Sequence, residues 1–162
     1  MVLFVRFLFT EILSETEFYL VAMKRDDTSP AVEQTVTMIS AVDDEACASL
    51  VADIVAHPSG LVSPKEFALL NPPFSKSKIS KRLKKLREAG VVAYADAPDQ
   101  SPGEPRRYYY LTDDARAVFD RNNMFAPEPL KELFDRLDHT DQFLALLEKP
   151  RPDVAAETVY TK

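Results

Sequence analysis

Apolar residues recur along this chain mainly at helical spacing. Val32, Val36, Ile39 and Val42 fall at i, i+4, i+7 and i+10, the stripe of a short amphipathic helix. Asp43 or Asp44 can cap a second helix with Leu50, Val51, Ile54 and Val55 turned inward, and Pro58-Ser59-Gly60 stops it. Ser63-Pro64-Lys65-Glu66 reads as a capping box with proline at the first helical position. The helix it starts buries Phe67, Ala68 and Leu70 and must be short, because Asn71-Pro72-Pro73 ends it. Ser75 caps the next helix, in which Ile79, Leu83 and Leu86 form one stripe and Gly90 is the stop.

After this helix the period changes. Residues 91–94 read as a strand, 96–105 as turn formers and 106–111 as a second strand rich in tyrosine, together a β-hairpin with a long tip. At least one of Tyr108, Tyr109 and Tyr110 must point into the core, since side chains alternate across a strand. Thr112 then caps a helix with acids in its first turn and Ala115, Val118 and Phe119 inward. Beyond Pro127-Glu128-Pro129 an amphipathic helix carries Leu130, Leu133, Phe134 and Leu137, and a last short one carries Phe143, Leu144 and Leu147. The expected fold is mainly α with a small β-hairpin: a winged helix-turn-helix with additional flanking helices. Its divisions are an N-terminal extension over 1–30, the winged helix over 31–125, C-terminal helices over 126–149 that pack or dimerise, and a mobile tail over 150–162.

The first 22 residues stand apart. Their apolar run, MVLFVRFLF, is shorter than the ~20 residues a membrane-spanning helix needs. It also lacks the basic start and small-residue cleavage site of a signal peptide. Either translation begins at Met23, or the segment adds an element that packs on the body or on a partner.

Charge singles out one stretch. Between Ser75 and Arg87 stand seven basic residues and no acidic one. The whole chain has a formal charge of −6, so removing those seven positive charges leaves the rest at −13. At ~100° per residue, Ser77, Lys81 and Lys84 lie opposite the Ile79–Leu83–Leu86 stripe, with Lys78 and Lys85 at its edge. A helix that docks on one side and offers lysines on the other matches a polyanion, against the plainer reading of a solvated face.

Other chemistries find little support. With 3 glycines there is no phosphate-cradling loop. One cysteine, Cys47, allows no intrachain disulfide, which fits a reducing cytoplasm. His57 and His139 are too far apart in sequence to build a metal cluster with it. No nucleophile–base–orienter set is visible. An enzyme, a metal and a cofactor are therefore not expected, nor is a membrane.

The order of short helix, tight turn, basic helix and hairpin is that of a helix-turn-helix with a wing. The residues expected at DNA are Ser75, Lys76, Ser77, Lys78, Ser80, Lys81, Lys84 and Lys85 on the basic helix, and Arg106 and Arg107 at the wing base. Arg82 lies nearer the buried side, where its stem packs. Cys47 reads as a small core residue; the functional alternative is an oxidant-sensing thiol, which acids at 43–45 disfavour. His57 reads as a favourable charge at a helix end.

At 75–92, SKSKISKRLKKLREAGVV closely resembles the recognition helix of ArsR-type winged-helix regulators, and GEPRRYYYLTDDARAVFDRNN at 103–123 resembles their wing and following helix. The pairing looks most like haloarchaeal members of that family and the neighbouring PadR-like group, among which is an oxidant-responsive regulator. The resemblance implies a homodimeric transcription regulator on pseudo-palindromic double-stranded DNA, paired through helices such as those at 32–57 and 127–148. Metal-sensing members carry a Cys-x-Cys motif before the recognition helix; 63–71 has no cysteine. The alternative function is a winged-helix adaptor for other proteins. The acidic wing tip (Asp96, Asp99, Glu104) departs from the basic tip of many wings. In a salt-adapted cytoplasm those acids are expected to take up salt cations on binding and so flatten the salt dependence of affinity.

Overall fold

The computed structural model describes residues 29–154; the expectations about a start at Met23 and an N-terminal element lie outside them. Seven helices and one hairpin follow in order: α1 Pro30–Ala41, α2 Glu45–Ala56, α3 Pro64–Leu70, α4 Lys76–Glu88, β1 Val92–Asp96, β2 Arg107–Leu111, α5 Asp113–Arg121, α6 Pro127–Arg136 and α7 Asp141–Leu147. The expected class, mainly α with one antiparallel hairpin, is the class observed.

Local chemistry sets most boundaries. Ser29, Asp44, Ser63, Ser75, Thr112 and Thr140 each accept a hydrogen bond from a backbone N–H in the first turn of their helix. Ser63 and Glu66 complete a reciprocal capping box. The extension expected over 1–30 gives way to α1 at its end: Ser29 is the N-cap and Pro30 the first helical residue. Gly90 ends α4 at φ 77°, a left-handed conformation that a side chain would strain, and a Cβ there would press on Met38.

Helix α2 is the axis of the domain. Leu50, Val51 and Ile54 join Met38, Ile39 and Val42 of α1, Phe67, Ile79, Leu83 and Leu86 of the helix-turn-helix, and Val118 and Phe119 of α5 in the main core. The opposite face carries Ala48, Ala52 and Ala56, at i, i+4 and i+8. Their small side chains let Leu130 and Phe134 of α6 and Phe143 of α7 pack close, as a second cluster. So α2 is covered all round, and it offers no face to a second copy. Leu130 and Phe134 are likewise spent on their own domain. In α7 the inward residues are Phe143 and Leu146, whereas Leu144 is 46% exposed.

The hairpin pairs Val92 with Leu111, Tyr94 with Tyr109 and Asp96 with Arg107. One residue of a third strand, Val62, exchanges both backbone hydrogen bonds with Tyr109, at 3.0 and 2.8 Å. Tyr108 is the buried member of the tyrosine run, in a third cluster with Leu61 and Ala97.

The chain beyond α7 turns back onto the body. Arg151 donates to the carbonyls of Leu61 (2.6 Å) and Leu146 (3.1 Å) and to both carboxylate oxygens of Glu66 (2.5 and 3.2 Å). Its guanidinium lies over the ring of Tyr108, 4.8 Å from the centroid. The tail expected from Pro150 is thus anchored through Val154; later residues fall outside the described part.

Candidate nucleic-acid interface

Helix α4 is seated by the stripe the sequence displays: Ile79, Leu83 and Leu86 are all buried. Short α3 and its Asn71 C-cap fix the turn in front of it. Asn71 donates to the Phe67 carbonyl at 2.9 Å and to Asp53 of α2 at 2.5 Å, tying the turn to the axis helix. Oδ1 of Asp53 and Oδ1 of Asn71 are buried without partners. Burial pushes the Asp53 carboxyl up to about 8 although the Asn71 amide opposes it, so the acid holds its proton at neutral pH.

Around the exposed circumference of α4 the cations separate into three groups. Ser77, Lys81 and Lys84 form the outward arc, all exposed. Lys84 reaches only Glu88 at 3.8 Å, both side chains well exposed, so that pair adds about 0.3–0.5 kcal/mol. On one flank lie Lys76, Ser80 and Arg87, toward the wing. On the other lie Lys78, Lys85 and Arg82. Lys78 stands over the ring of Phe74, 4.4 Å from its centroid, which braces the turn side of the helix.

The third group is largely engaged within the protein. Arg82 contacts Asp44 at 3.1 Å, and Lys85 contacts Asp43 and Asp44, both at 3.4 Å. Asp44 is also the N-cap of α2. Burial would raise its pKa, but the Cys47 N–H and the Arg82 charge outweigh that and hold it below the usual carboxylate range. These two cations therefore clamp α4 to the start of α2. That agrees with a packing role for Arg82 and sets Lys85 apart from the other lysines expected at DNA. Ser75 serves as the N-cap, accepting from the Lys78 N–H at 3.1 Å.

At the wing, Arg106 and Arg107 are both exposed. Arg107 shares a sheet face with Tyr109 and Leu111, opposite Asp96, Tyr94 and Val92. Its guanidinium stacks on Tyr94, 4.3 Å from the centroid, and approaches Asp96 at 3.8 Å. Arg87 approaches the same ring at 5.5 Å. Tyr94 thus links the last turn of α4 to the wing base through two guanidiniums. Neither Arg87 nor Tyr94 was expected at the site. Arg87 was visible as part of the basic run, but its flank position matters only once the hairpin is placed beside it.

The acids at the wing tip are mostly occupied. Glu104 pairs with Lys149 at 2.8 Å, and Asp99 accepts from the N–H and hydroxyl of Ser101 at 2.9 and 2.5 Å. Cys47 is fully buried, and burial together with Asp44 pushes its thiol up to about 12. Among the described residues no group of His, Cys, Asp or Glu is arranged to hold a metal, and no helix is long and apolar enough to cross a membrane. His57 is buried at the end of α2. Its Nδ1 accepts from the Ser59 N–H, and its Nε2 lies 3.3 Å from Glu66, which ties the end of α2 to α3.

Neither a protein-family model nor a curated protein matches this chain. A solved structure from Halomicrobium mukohataei, described as a protein with a GntR superfamily winged-helix-turn-helix domain, is similar to it at 20% identity. The TM-score is 0.70, and the alignment covers 86% of this chain and all of the other. The fold is therefore a winged helix-turn-helix. At this identity the likeness carries the fold alone.

Proposed function

We propose that this chain is a sequence-specific, double-stranded DNA-binding transcription regulator, with residues 75–89 entering the major groove and the wing over 91–111 flanking it. The observation that carries the reading is the outward arc of α4. Ser77, Lys81 and Lys84 stand clear of the body on a helix held from behind by three buried aliphatic side chains. Phosphate contacts come from Lys76, Lys81 and Lys84, with Lys78 and Lys81 in reach of guanine edges. Arg106 and Arg107 meet the backbone beside the groove.

A pseudo-palindromic site would need two copies. With α2 enclosed and Leu130 and Phe134 buried in their own domain, pairing falls to the outer faces of α1 and of α6–α7, where Leu133, Leu137, Leu144 and Leu147 retain exposure. ArsR- or PadR-like membership, action in the cytoplasm and the absence of catalysis are part of the same reading. Oxidant sensing through Cys47 is not, since its thiol is neither accessible nor acidic. Salt-cation uptake at the wing tip belongs to the same reading. Asp96, 76% exposed and 3.8 Å from Arg107, is the most open of the three acids, compared with Glu104, which pairs with Lys149 at 2.8 Å, and Asp99, which accepts from Ser101.

The test is DNA binding by fluorescence anisotropy, using operators selected from a genomic fragment pool. Lys78→Glu and Lys81→Glu should abolish retention of the selected fragments. Lys81→Gln should reduce the slope of log affinity against log salt by about 1. Lys85→Gln should change affinity much less, because its ammonium is held by Asp43 and Asp44. Unchanged affinity in the two charge reversals would sink the regulator and leave the protein-adaptor reading.

A further inference from the structure

The loop between β1 and β2 is tied to the body from two sides. Lys65 of α3 donates to the Gly103 carbonyl, and Lys149, just beyond α7, pairs with Glu104 at 2.8 Å. The loop is also braced within itself. Gln100 donates to the Ala97 carbonyl at 2.8 Å, and the Glu104 N–H to the Ser101 carbonyl at 3.1 Å. The residues after Lys149 hold the wing strands. Arg151 lies over the ring of Tyr108 in β2 while it grips Glu66 of α3. Val154 packs against the cluster of Leu61, Ala97 and Tyr108. Residues 149–154 therefore run as a strap that touches α3, the wing loop and β2 together.

We propose that this strap sets the position of the wing, and that Lys149 and Glu104 are positioning residues for the DNA contacts of Arg106 and Arg107. Only Pro105, which is buried, separates Glu104 from Arg106. The proline ring fixes φ, so a shift of Glu104 passes to the two arginines with little slack. Guanidiniums held in place before DNA arrives leave less to be ordered on binding. The effect on affinity rests on the DNA-binding reading, whereas the hold on the wing is a property of the free protein. Charge alone predicts the reverse for one variant. Glu104→Gln removes a negative charge close to the wing arginines, and plain electrostatics would then raise affinity for a polyanion. A positioning role lowers it.

The experiment uses the full chain. Without DNA, hydrogen exchange read by mass spectrometry follows the peptides spanning 97–107. Lys149→Gln and Glu104→Gln should each speed exchange there about threefold or more and leave α2 unchanged. Tm should stay within about 4 °C of wild type, the limit for an exposed ion pair in a chain of this size. Lys149→Glu combined with Glu104→Lys, which re-forms the pair in reverse, should return exchange to the wild-type rate. On the operator, Lys149→Gln and Glu104→Gln should each lower affinity about three- to tenfold. In a background carrying Arg106→Gln and Arg107→Gln, Glu104→Gln should change affinity by less than about 1.5-fold, since nothing is left to position.

Unchanged exchange over 97–107 in both single variants overturns the hold on the wing. Faster exchange with unchanged or raised affinity in Glu104→Gln overturns the positioning role. So does an undiminished loss in the background without the two arginines. If the wild type binds no operator at all, the DNA-binding reading fails, and hydrogen exchange still decides whether the strap holds the wing.

Discussion

Replacing Arg151 by Met tests how much of the domain hangs on one buried carboxylate. Glu66 has no exposed side-chain surface, and the Arg151 side chain has 10%. Burial alone would raise the Glu66 pKa. Hydrogen bonds from His57, Arg151 and the Ser63 N–H outweigh it and bring the carboxyl from 4.5 down to about 2. That difference corresponds to about 3 kcal/mol of stability. Because the folded pKa is depressed, this contribution is present above pH ~4.5 and is lost as pH falls toward ~2.

Arg151→Met removes both hydrogen bonds of the guanidinium to Glu66 and frees the Leu61 and Leu146 carbonyls. It leaves Glu66 with His57 at 3.3 Å and the Ser63 N–H at 2.8 Å. Breaking a buried pair from one side costs about 3–5 kcal/mol, and the surviving partners favour the lower end. At ~2–4 °C per kcal/mol for a chain of this size, Tm should fall by about 6–12 °C at pH 7. Its decline between pH 4.5 and 2 should also become shallower, since the Glu66 pKa moves back toward its ordinary value. Urea titrations and thermal scans by circular dichroism across pH 2–7 measure both. A Tm within 2 °C of wild type, with an unchanged acid limb, would refute the account of Glu66.

Three further outcomes follow from the core. Asp53 behaves oppositely to Glu66: its raised pKa means stability is highest below the ordinary carboxylate pKa of 3.8 and declines as pH rises toward ~8. Asp53→Asn should flatten that decline and stabilise at pH 8 by about 1–3 kcal/mol, because the new amide can donate to the orphaned Asn71 Oδ1; a less stable variant at pH 8, read from urea midpoints, contradicts this. Cys47 should react with a thiol reagent only at the rate of unfolding, and modification of native protein within minutes would show the thiol to be accessible. Phe134→Ala should cost about 3–5 kcal/mol in urea unfolding, since the ring fills the space over Ala48, Ala52 and Ala56; a loss under ~1 kcal/mol would mean that α6 does not belong to the monomer core.

Sequence alone determined what short-range chemistry controls. Each N-cap reaches a backbone N–H three residues on, so Ser63, Ser75 and Thr112 announce their helices without any knowledge of the fold. The stripe Ile79–Leu83–Leu86 and the lysines opposite it follow from helical period alone. The tyrosine-rich strand and its turn-forming tip were legible for the same reason.

Only the tertiary structure decided which surfaces are shared. The alanines of α2 show no strong hydrophobic stripe, because their value lies in what their smallness admits, Phe134 and Phe143 from far along the chain. The pairing of Val62 with Tyr109, the Glu66–Arg151 contact and the diversion of Arg82 and Lys85 onto Asp44 join residues about 40 to 85 positions apart. Nothing in local period encodes such contacts. They arise when buried charges and backbone groups, once folded away from water, must find their partners among whatever the fold has brought near.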